Sequence, residues 1–118
     1  MIEKVTLQMS ENGKFRTENG TGCESLNPKA LLLYAAAQCS AQTALMIMQK
    51  ERITPTRFEI SYSGELSAEE VKSESVYSSF HVVYNVECGS EDDQAKASRA
   101  IDLTHEKYCG MVRMLRMI

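Results

Sequence analysis

Two cysteines that lie far apart in the chain, Cys39 and Cys109, are the residues whose type and position could do chemistry. Cys39 lies inside an unusually apolar helical run, and Cys109 lies at the end of a second helical pattern. A thiol in the middle of a helix is either a small core residue or a reactive group held in a dry pocket. A second thiol on another helix could resolve the first one after oxidation. The residues alone leave both alternatives open.

The remaining candidate ligands and thiols predict no further site. Cys23 is expected in a loop and Cys88 at a strand end. Neither cysteine is expected to take part in the chemistry. No C-x-x-C pair occurs among the four cysteines and the chain has two histidines, so neither a structural zinc site nor another cofactor is predicted. His105 lies one helical turn before Cys109 and could share its helix face, although a surface histidine is the more common arrangement.

Length and charge restrict the class of protein. The 118 residues predict one domain, residues 1–118, with a single core. The formal net charge of −3 argues against nucleic-acid binding, which needs a basic face to neutralise phosphates. The first five residues run directly into a strand-like alternation, so no signal peptide is predicted and we expect a cytoplasmic protein.

The N-terminal residues predict a β-hairpin. Val5, Leu7 and Met9 alternate with polar neighbours, as in a strand with one buried face. Asn12-Gly13 suits the turn because this pair accepts positive φ at little cost, and residues 14–18 can form the returning strand.

A long apolar helix is predicted from Asn27 to about residue 52. Asn27 can cap the helix, and Pro28 fits the first turn, where its missing N–H is not needed. Apolar side chains between residues 30 and 48 lie on every face, which predicts a buried helix. The run is long enough to suggest a membrane span. Four polar residues within it and the amphipathic strands around it favour a buried central helix and no membrane partner.

Few other elements are available to cover this helix. A monomer would leave part of it as an exposed apolar patch, and such patches usually mark interfaces. We therefore expect a homodimer.

Two further strands and a second helix are predicted after the long helix. Residues 58–66 and 76–86 alternate as strands, the second with Val76, Ser78 and Phe80 on one face. Ser90 precedes three acidic residues, which suits a helix N-terminus. This helix is predicted to reach about Tyr108 and to bury a stripe of Ala97, Ile101, Thr104 and Tyr108. The order β-β-α-β-β-α predicts an α+β domain with an antiparallel sheet and a long buried central helix.

In these features the chain resembles the OsmC/Ohr family, the osmotically induced and organic-hydroperoxide-resistance proteins. The resemblance covers roughly residues 2–117 and rests on the order and spacing of three features. They are Asn27-Pro28 opening an Ala/Leu-rich helix that carries Cys39, the hairpin that follows, and Glu106-Lys107-Tyr108-Cys109. Residues 106–115 look most like a small, less characterised OsmC-like branch. The resemblance implies an intertwined homodimer with active sites at the subunit interface.

The resemblance also implies roles for individual residues. In catalytic members, the helix cysteine attacks a peroxide, becomes a sulfenic acid and is resolved as a disulfide by the second cysteine. Carried over, Cys39 is peroxidatic and Cys109 resolving, with a peroxide substrate, a dithiol reductant and no cofactor. Peroxidatic members have Glu after the Asn-Pro pair and Arg in the first hairpin, whereas this chain has Lys29 and, on the returning strand, Arg16. Lys29 and Arg16 are the candidates to support the Cys39 thiolate.

Two functions follow from these residues. One is thiol-dependent reduction of organic or hydrogen peroxides in an oxidative stress response. The other is a non-catalytic dimer of the same fold that binds a small apolar molecule, which the absent Glu–Arg pair favours. The first function requires the Cα atoms of Cys39 and Cys109 to lie within about 7 Å when bridged.

Overall fold

The fold is an antiparallel sheet covered on one face by helices. The computed structural model describes residues 1–17, 26–67 and 75–116. Its strands are β1 (Ile2–Met9), β2 (Phe15–Thr17), β3 (Arg57–Leu66) and β4 (Tyr77–Glu87). Its helices are α1 (Pro28–Lys50), α2 (Glu91–Leu103) and α3 (Gly110–Arg116), with a π-helical turn at Thr104–Tyr108 between the last two. The four strands form one antiparallel sheet in the order β2-β1-β3-β4, so the predicted α+β class is confirmed.

The first hairpin forms where the Asn-Gly pair predicts it. Gly13 has a φ of 77°, which a glycine adopts without steric cost. The backbone N–H of Ser10 donates to the carbonyl of Lys14 at 2.7 Å and closes the turn. The returning strand β2 is three residues long, and the predicted Glu18 lies outside the described residues.

The long helix α1 begins as expected. The Asn27 side chain accepts a hydrogen bond from the backbone N–H of Ala30 at 3.0 Å, and Pro28 is the first helical residue. The helix ends at Lys50, slightly before the predicted end near residue 52, and Arg52 turns the chain with a φ of 62°.

One face of α1 packs against the sheet and forms most of the core. Its buried residues are Ala30, Leu33, Ala36, Ala37, Ser40, Ala41, Ala44, Leu45 and Met48. The opposite side carries the exposed Leu31 and Met46, so a single chain leaves part of the apolar helix uncovered, as expected. Within the described residues, α1 is also the helix long and apolar enough to cross a membrane, a property shared by core helices of folded domains.

Strands β3 and β4 carry the sheet side of this core. Phe58, Ile60 and Tyr62 point towards α1 and are buried, as the alternation predicts. A register shift at Glu65/Leu66 then pairs Leu66 with Tyr77. Because of this bulge, Tyr77 and not Val76 or Ser78 turns inward, and that part of the predicted β4 face is wrong.

The second helix starts as predicted but ends early. The Ser90 hydroxyl caps it by accepting a hydrogen bond from the backbone N–H of Asp93 at 3.1 Å. The α-helix stops at Leu103, and the N–H of Cys109 bonds to the carbonyl of Thr104 in an i→i+5 turn. This wider turn changes the phase of the helix, so Tyr108, predicted to be buried, is 60% exposed.

Candidate functional site

The fold brings Cys39 and Cys109 together. The Cys109 thiol donates a hydrogen bond to the Cys39 sulfur, and the two Sγ atoms are 3.1 Å apart although 70 positions separate the residues. Both are free thiols in this structure. A disulfide bond is about 2.0 Å long, so a movement of about 1 Å would join the two sulfurs. The pair can therefore act as a dithiol/disulfide couple.

The π-helical turn decides where Cys109 lies. After Tyr108 the chain adopts extended dihedral angles at Cys109, with φ −92° and ψ 109°, and α3 begins at Gly110. This break turns the Cys109 side chain inward against α1, where its exposure is 0%. Cys39 differs, because it lies on the edge of the covered face of α1 and keeps partial access to solvent. One thiol is thus accessible and its neighbour is enclosed.

A buried hydroxyl pair continues the site beyond Cys109. The Ser40 hydroxyl lies 3.7 Å from the Cys109 sulfur, within hydrogen-bond distance for sulfur, and 2.9 Å from the Tyr62 hydroxyl. Ser40 is fully buried and Tyr62 nearly so. A buried hydroxyl without a partner would cost about 1–3 kcal/mol, so this network holds the side chains in place.

Tyr84 and His105 form a second polar contact, nearer the surface. The Tyr84 hydroxyl hydrogen-bonds to His105 Nε2 at 2.5 Å, and the two rings meet edge to face with centroids 5.3 Å apart. Burial raises the pKa of Tyr84, and Ser40 opposes this rise. His105, which sequence reasoning placed on the surface by default, is half-buried.

Burial dominates the electrostatics of these groups. Desolvation raises the pKa of Cys39, and the Cys109 thiol raises it further. The Met111 backbone N–H and the Thr43 hydroxyl hydrogen-bond to Cys39 and act in the opposite direction. Burial also raises the pKa values of Tyr62 and Tyr84, so both phenols stay protonated around neutral pH. Desolvation followed by the charge of Arg116 lowers the pKa of His105, which favours its neutral form.

Lys29 and Arg16 do not lie beside the thiols of the same chain. Lys29 is ten residues before Cys39 on the same helix, which places it about 15 Å away along the axis. Arg16 is exposed on β2 next to Phe15, whose side chain is in the core, so Arg16 points to the other face of the sheet. Of the four predicted site residues, the protomer brings two together.

Sequence reasoning did not include Ser40, Tyr62 and Tyr84 in the site. A signal for them exists in the pattern, since Ser40 interrupts an apolar helix directly after Cys39. Tyr62 and Tyr84 occupy inward positions of β3 and β4, where a buried phenol needs a partner. The contact with the Met111 backbone has no such signal, because it depends on the break before α3.

The other cysteines lie apart from this network or outside the described residues. Cys88, at the end of β4, is half-buried, and desolvation raises its pKa. Cys23 lies outside the described residues. Within residues 1–17, 26–67 and 75–116, no group of three His, Cys, Asp or Glu side chains is arranged to hold a metal ion.

A small cavity borders the polar network. It has a volume of about 210 Å³ and lies between β3, β4, the π-helical turn and α3. The lining residues are Tyr62, Phe80, Val82, His105, Val112, Leu115 and Arg116. Tyr62 and His105 both line the cavity. The polar side chains of the site therefore border this space.

Comparison with known proteins identifies the family. The OsmC family, described as OsmC-like protein, matches residues 20–117. This chain belongs to the OsmC-like family. Protein YhfA of Escherichia coli K12 is 30% identical over 98 residues, which cover 83% of this chain and 70% of YhfA.

Solved structures agree with the OsmC-like assignment at the level of the fold. A hypothetical protein from Aquifex aeolicus VF5 superposes with a TM-score of 0.63 and 25% identity, over 99% of this chain and 86% of the other. An OsmC-like hydroperoxide resistance protein from Jannaschia sp. CCS1 gives a TM-score of 0.66 at 11% identity, over 98% and 85% of the two chains. At that low identity, the second likeness shows the OsmC-like fold alone.

Proposed function

We propose that this OsmC-like protein reduces organic or hydrogen peroxides with Cys39 as the attacking thiol and Cys109 as the resolving thiol. The observation that carries the proposal is the 3.1 Å contact between the two sulfurs. The difference in exposure between the two thiols supports these roles. Peroxide can reach the partly exposed Cys39, whereas the enclosed Cys109 can reach only its neighbour.

The reaction balances with these two thiols and an external dithiol. The Cys39 thiolate attacks one peroxide oxygen, the O–O bond breaks, and the leaving alkoxide or hydroxide takes a proton to form an alcohol or water. Cys39 is then a sulfenic acid. Cys109 attacks its sulfur, the S–O bond breaks, and a disulfide and water form. A dithiol reductant returns both thiols and is itself oxidised. Such a cycle suits the reducing cytoplasm, where we place the protein.

The surroundings of Cys39 predict a pH-dependent reaction. The thiolate is the nucleophile, and burial holds the pKa of Cys39 above its ordinary value. The hydrogen bonds from Met111 and Thr43 oppose this effect only in part. If Lys29 or Arg16 supports the thiolate, as we propose from the resemblance, that charge has to come from a second subunit.

A homodimer is part of this proposal. The exposed side of α1 carries Leu31, Ala35, Cys39 and Met46 within an arc of about 80° around the helix axis. Leu31 and Met46 are large apolar residues that are 38% and 48% exposed in a single chain. Packing two copies of this stripe against each other would bury them and place each Cys39 at the edge of the interface.

A second function, binding of a small apolar molecule without turnover, is favoured by the cavity beside the network. Phe80, Val82, Val112 and Leu115 give it an apolar wall, and Arg116 and His105 give it two polar groups. A space of about 210 Å³ is smaller than typical drug-sized pockets and would admit only a short ligand.

Peroxide consumption with dithiothreitol as reductant separates the two functions. Wild type and Cys109→Ser are compared with Cys39→Ser, and Cys88→Ser serves as the matched cysteine control. The peroxidase proposal expects loss of turnover in Cys39→Ser, no disulfide in Cys109→Ser, and normal turnover in Cys88→Ser. Equal peroxide consumption by wild type and Cys39→Ser would rule it out and leave the binding function.

A further inference from the structure

A fully buried hydroxyl lies against the enclosed thiol. Ser40 follows Cys39 directly on α1, and its side chain is turned about 100° further around the helix axis, into the core. The Cys109 sulfur therefore lies beside two consecutive residues of α1. It is 3.1 Å from the Cys39 sulfur and 3.7 Å from the Ser40 hydroxyl, both within hydrogen-bond distance for sulfur.

The Ser40 hydroxyl does not have the partner that is usual for a serine inside a helix. Such a side chain commonly donates to the carbonyl one turn earlier, as the buried Thr104 does to Ala100 at 2.8 Å. Within the described residues, the hydrogen bonds of the Ser40 side chain go instead to Tyr62 and Cys109. An alanine would fill this position of the apolar helix with no hydroxyl to satisfy, so packing alone does not account for the serine.

The number of protons gives these hydrogen bonds one direction. The Cys109 thiol donates to the Cys39 sulfur. Ser40 and Tyr62 have one hydroxyl proton each, and their oxygens are 2.9 Å apart. If Tyr62 donates to Ser40, the Ser40 proton is directed to the Cys109 sulfur and every proton has an acceptor. The opposite direction would leave the Tyr62 proton without an acceptor among the described residues.

We propose that the Ser40 hydroxyl donates to the Cys109 sulfur and stabilises the negative charge that this sulfur carries while the Cys39–Cys109 bond forms or breaks. Ser40 touches a reacting atom and is therefore a catalytic residue of the proposed cycle. Tyr62 is a positioning residue, because it contacts Ser40 and orients its proton. A hydrogen bond to a charged sulfur in an enclosed site is stronger than one to a neutral thiol, so it favours the charged transition state.

The bond change balances in both directions. On oxidation, the Cys109 sulfur supplies the electron pair of the S–S bond, the S–O bond of the Cys39 sulfenic acid breaks, and the Cys109 proton leaves with the oxygen as water. On reduction, a dithiol attacks the Cys39 sulfur, because Cys109 is fully buried. The S–S bond breaks and Cys109 leaves as a thiolate, to which Ser40 donates while it keeps its own proton. The second thiol of the reductant then attacks the mixed disulfide and releases Cys39. The two protons of the reductant end on Cys39 and Cys109.

This role for Ser40 rests on the proposed function, since it takes Cys109 as the enclosed partner of Cys39. The experiment therefore starts from a disulfide that is made without peroxide. Diamide oxidises the two thiols and is itself reduced, and peptide mapping verifies the Cys39–Cys109 bond. The disulfide is then reduced with excess dithiothreitol at pH 7, and samples quenched in acid are analysed by mass spectrometry. Urea unfolding measures the stability of each variant.

We expect the disulfide of Ser40→Ala to be reduced about tenfold more slowly than that of wild type, because the leaving thiolate loses its donor. Tyr62→Phe should be slowed about threefold, since Ser40 remains but is no longer oriented. The double variant should be no slower than Ser40→Ala, because Tyr62 acts only through Ser40. Ser61→Ala and Tyr77→Phe are the matched controls. Each loses a hydroxyl that is hydrogen-bonded away from the thiols, so each should be reduced at the wild-type rate.

The sign of the effect separates this role from a merely structural one. A loosened core would expose the disulfide and speed its reduction, whereas loss of the donor slows it. Reduction of Ser40→Ala at the wild-type rate or faster would overturn the role of Ser40 and leave the peroxidase proposal intact. Slower reduction in Ser40→Ala, together with no peroxide consumption by wild type, would support the role of Ser40 and count against the peroxidase. If Ser40→Ala does not fold, Tyr62→Phe decides: slower reduction supports the role and an unchanged rate overturns it.

Discussion

Cys39 and Cys109 are neighbours of unequal accessibility: their sulfurs are 3.1 Å apart, yet Cys109 is fully buried while Cys39 is partly exposed. Two equivalent thiols would compete for the same oxidant. Here the packing of α1 against the break before α3 distinguishes them. The accessibility of each thiol therefore follows from its position in the fold.

We predict that iodoacetamide modifies Cys39 before Cys109 in the native protein, with an initial rate at least about tenfold higher. The Cys39 rate should keep rising above pH 9, because burial raises the pKa of Cys39 above its ordinary value of 9.0 and the thiolate is the reacting form. Peptide mapping by mass spectrometry measures both rates. Protein unfolded in urea is the control, in which the two rates should converge. Faster native labelling of Cys109 would contradict the assigned roles.

We predict that Met46→Glu converts the proposed homodimer to a monomer. Met46 is 48% exposed in one protomer and lies on the stripe that we assign to the interface. A glutamate there would place a charge against the same charge of the second copy in a desolvated contact. Sedimentation velocity at micromolar concentration measures the change. Ser98→Glu, at an exposed position of α2, should leave the dimer intact, and a monomeric wild type would refute the interface.

We predict that Gly64→Ala destabilises the fold by about 1–3 kcal/mol. A Cβ at Gly64 would lie 2.5 Å from Cδ1 of Tyr77. This ring cannot simply move away, because its hydroxyl donates to the carbonyl of Lys29 at 2.7 Å. Urea unfolding measures the change. Gly89→Ala is the matched control, since a Cβ there meets nothing within 4 Å, and equal losses in both variants would disprove the packing argument.

We predict that His105 makes the protein less stable as the pH falls below about 6.5. Burial lowers the pKa of His105 in the folded state from its usual 6.5, so the unfolded chain takes up the proton first. The contribution is present above pH 6.5 and is lost as the pH falls through the folded-state pKa. Urea unfolding between pH 5 and 8 measures it. His105→Gln should flatten the slope relative to wild type, whereas His81→Gln should keep it.

Much of the fold follows from local pattern. Asn27-Pro28 predicts the start of α1, and Asn12-Gly13 predicts the first turn. Ser90 predicts the N-terminal cap of α2. The structure shows all three features. These features depend on hydrogen bonds and dihedral preferences within a few residues, which a sequence displays directly. The alternation of β3 likewise predicts its buried face, because side chains alternate at every second residue.

The interruption after α2 could not be predicted in this way. Residues 91–108 suit a continuous helix, yet the chain forms a π-helical turn at Thr104–Tyr108 and extended angles at Cys109. Cys109, which follows the turn, is buried together with Thr104 as a result of this change of phase. Packing against α1 therefore overrides the local helical preference. The periodicity of the sequence does not predict where the helix is interrupted.

The sequence by itself determined which residues could do chemistry: two cysteines on separate helical segments and a histidine four positions before the second. Only the tertiary structure decided that the two sulfurs meet, that Cys109 is the enclosed one, and that Ser40 and Tyr62 form a buried polar contact beside it. It also decided that Lys29 and Arg16 lie away from the thiols of their own protomer. The physical reason is that these contacts join residues up to 70 positions apart. Their distances are set by how the helices and the sheet pack, not by any pattern along the chain.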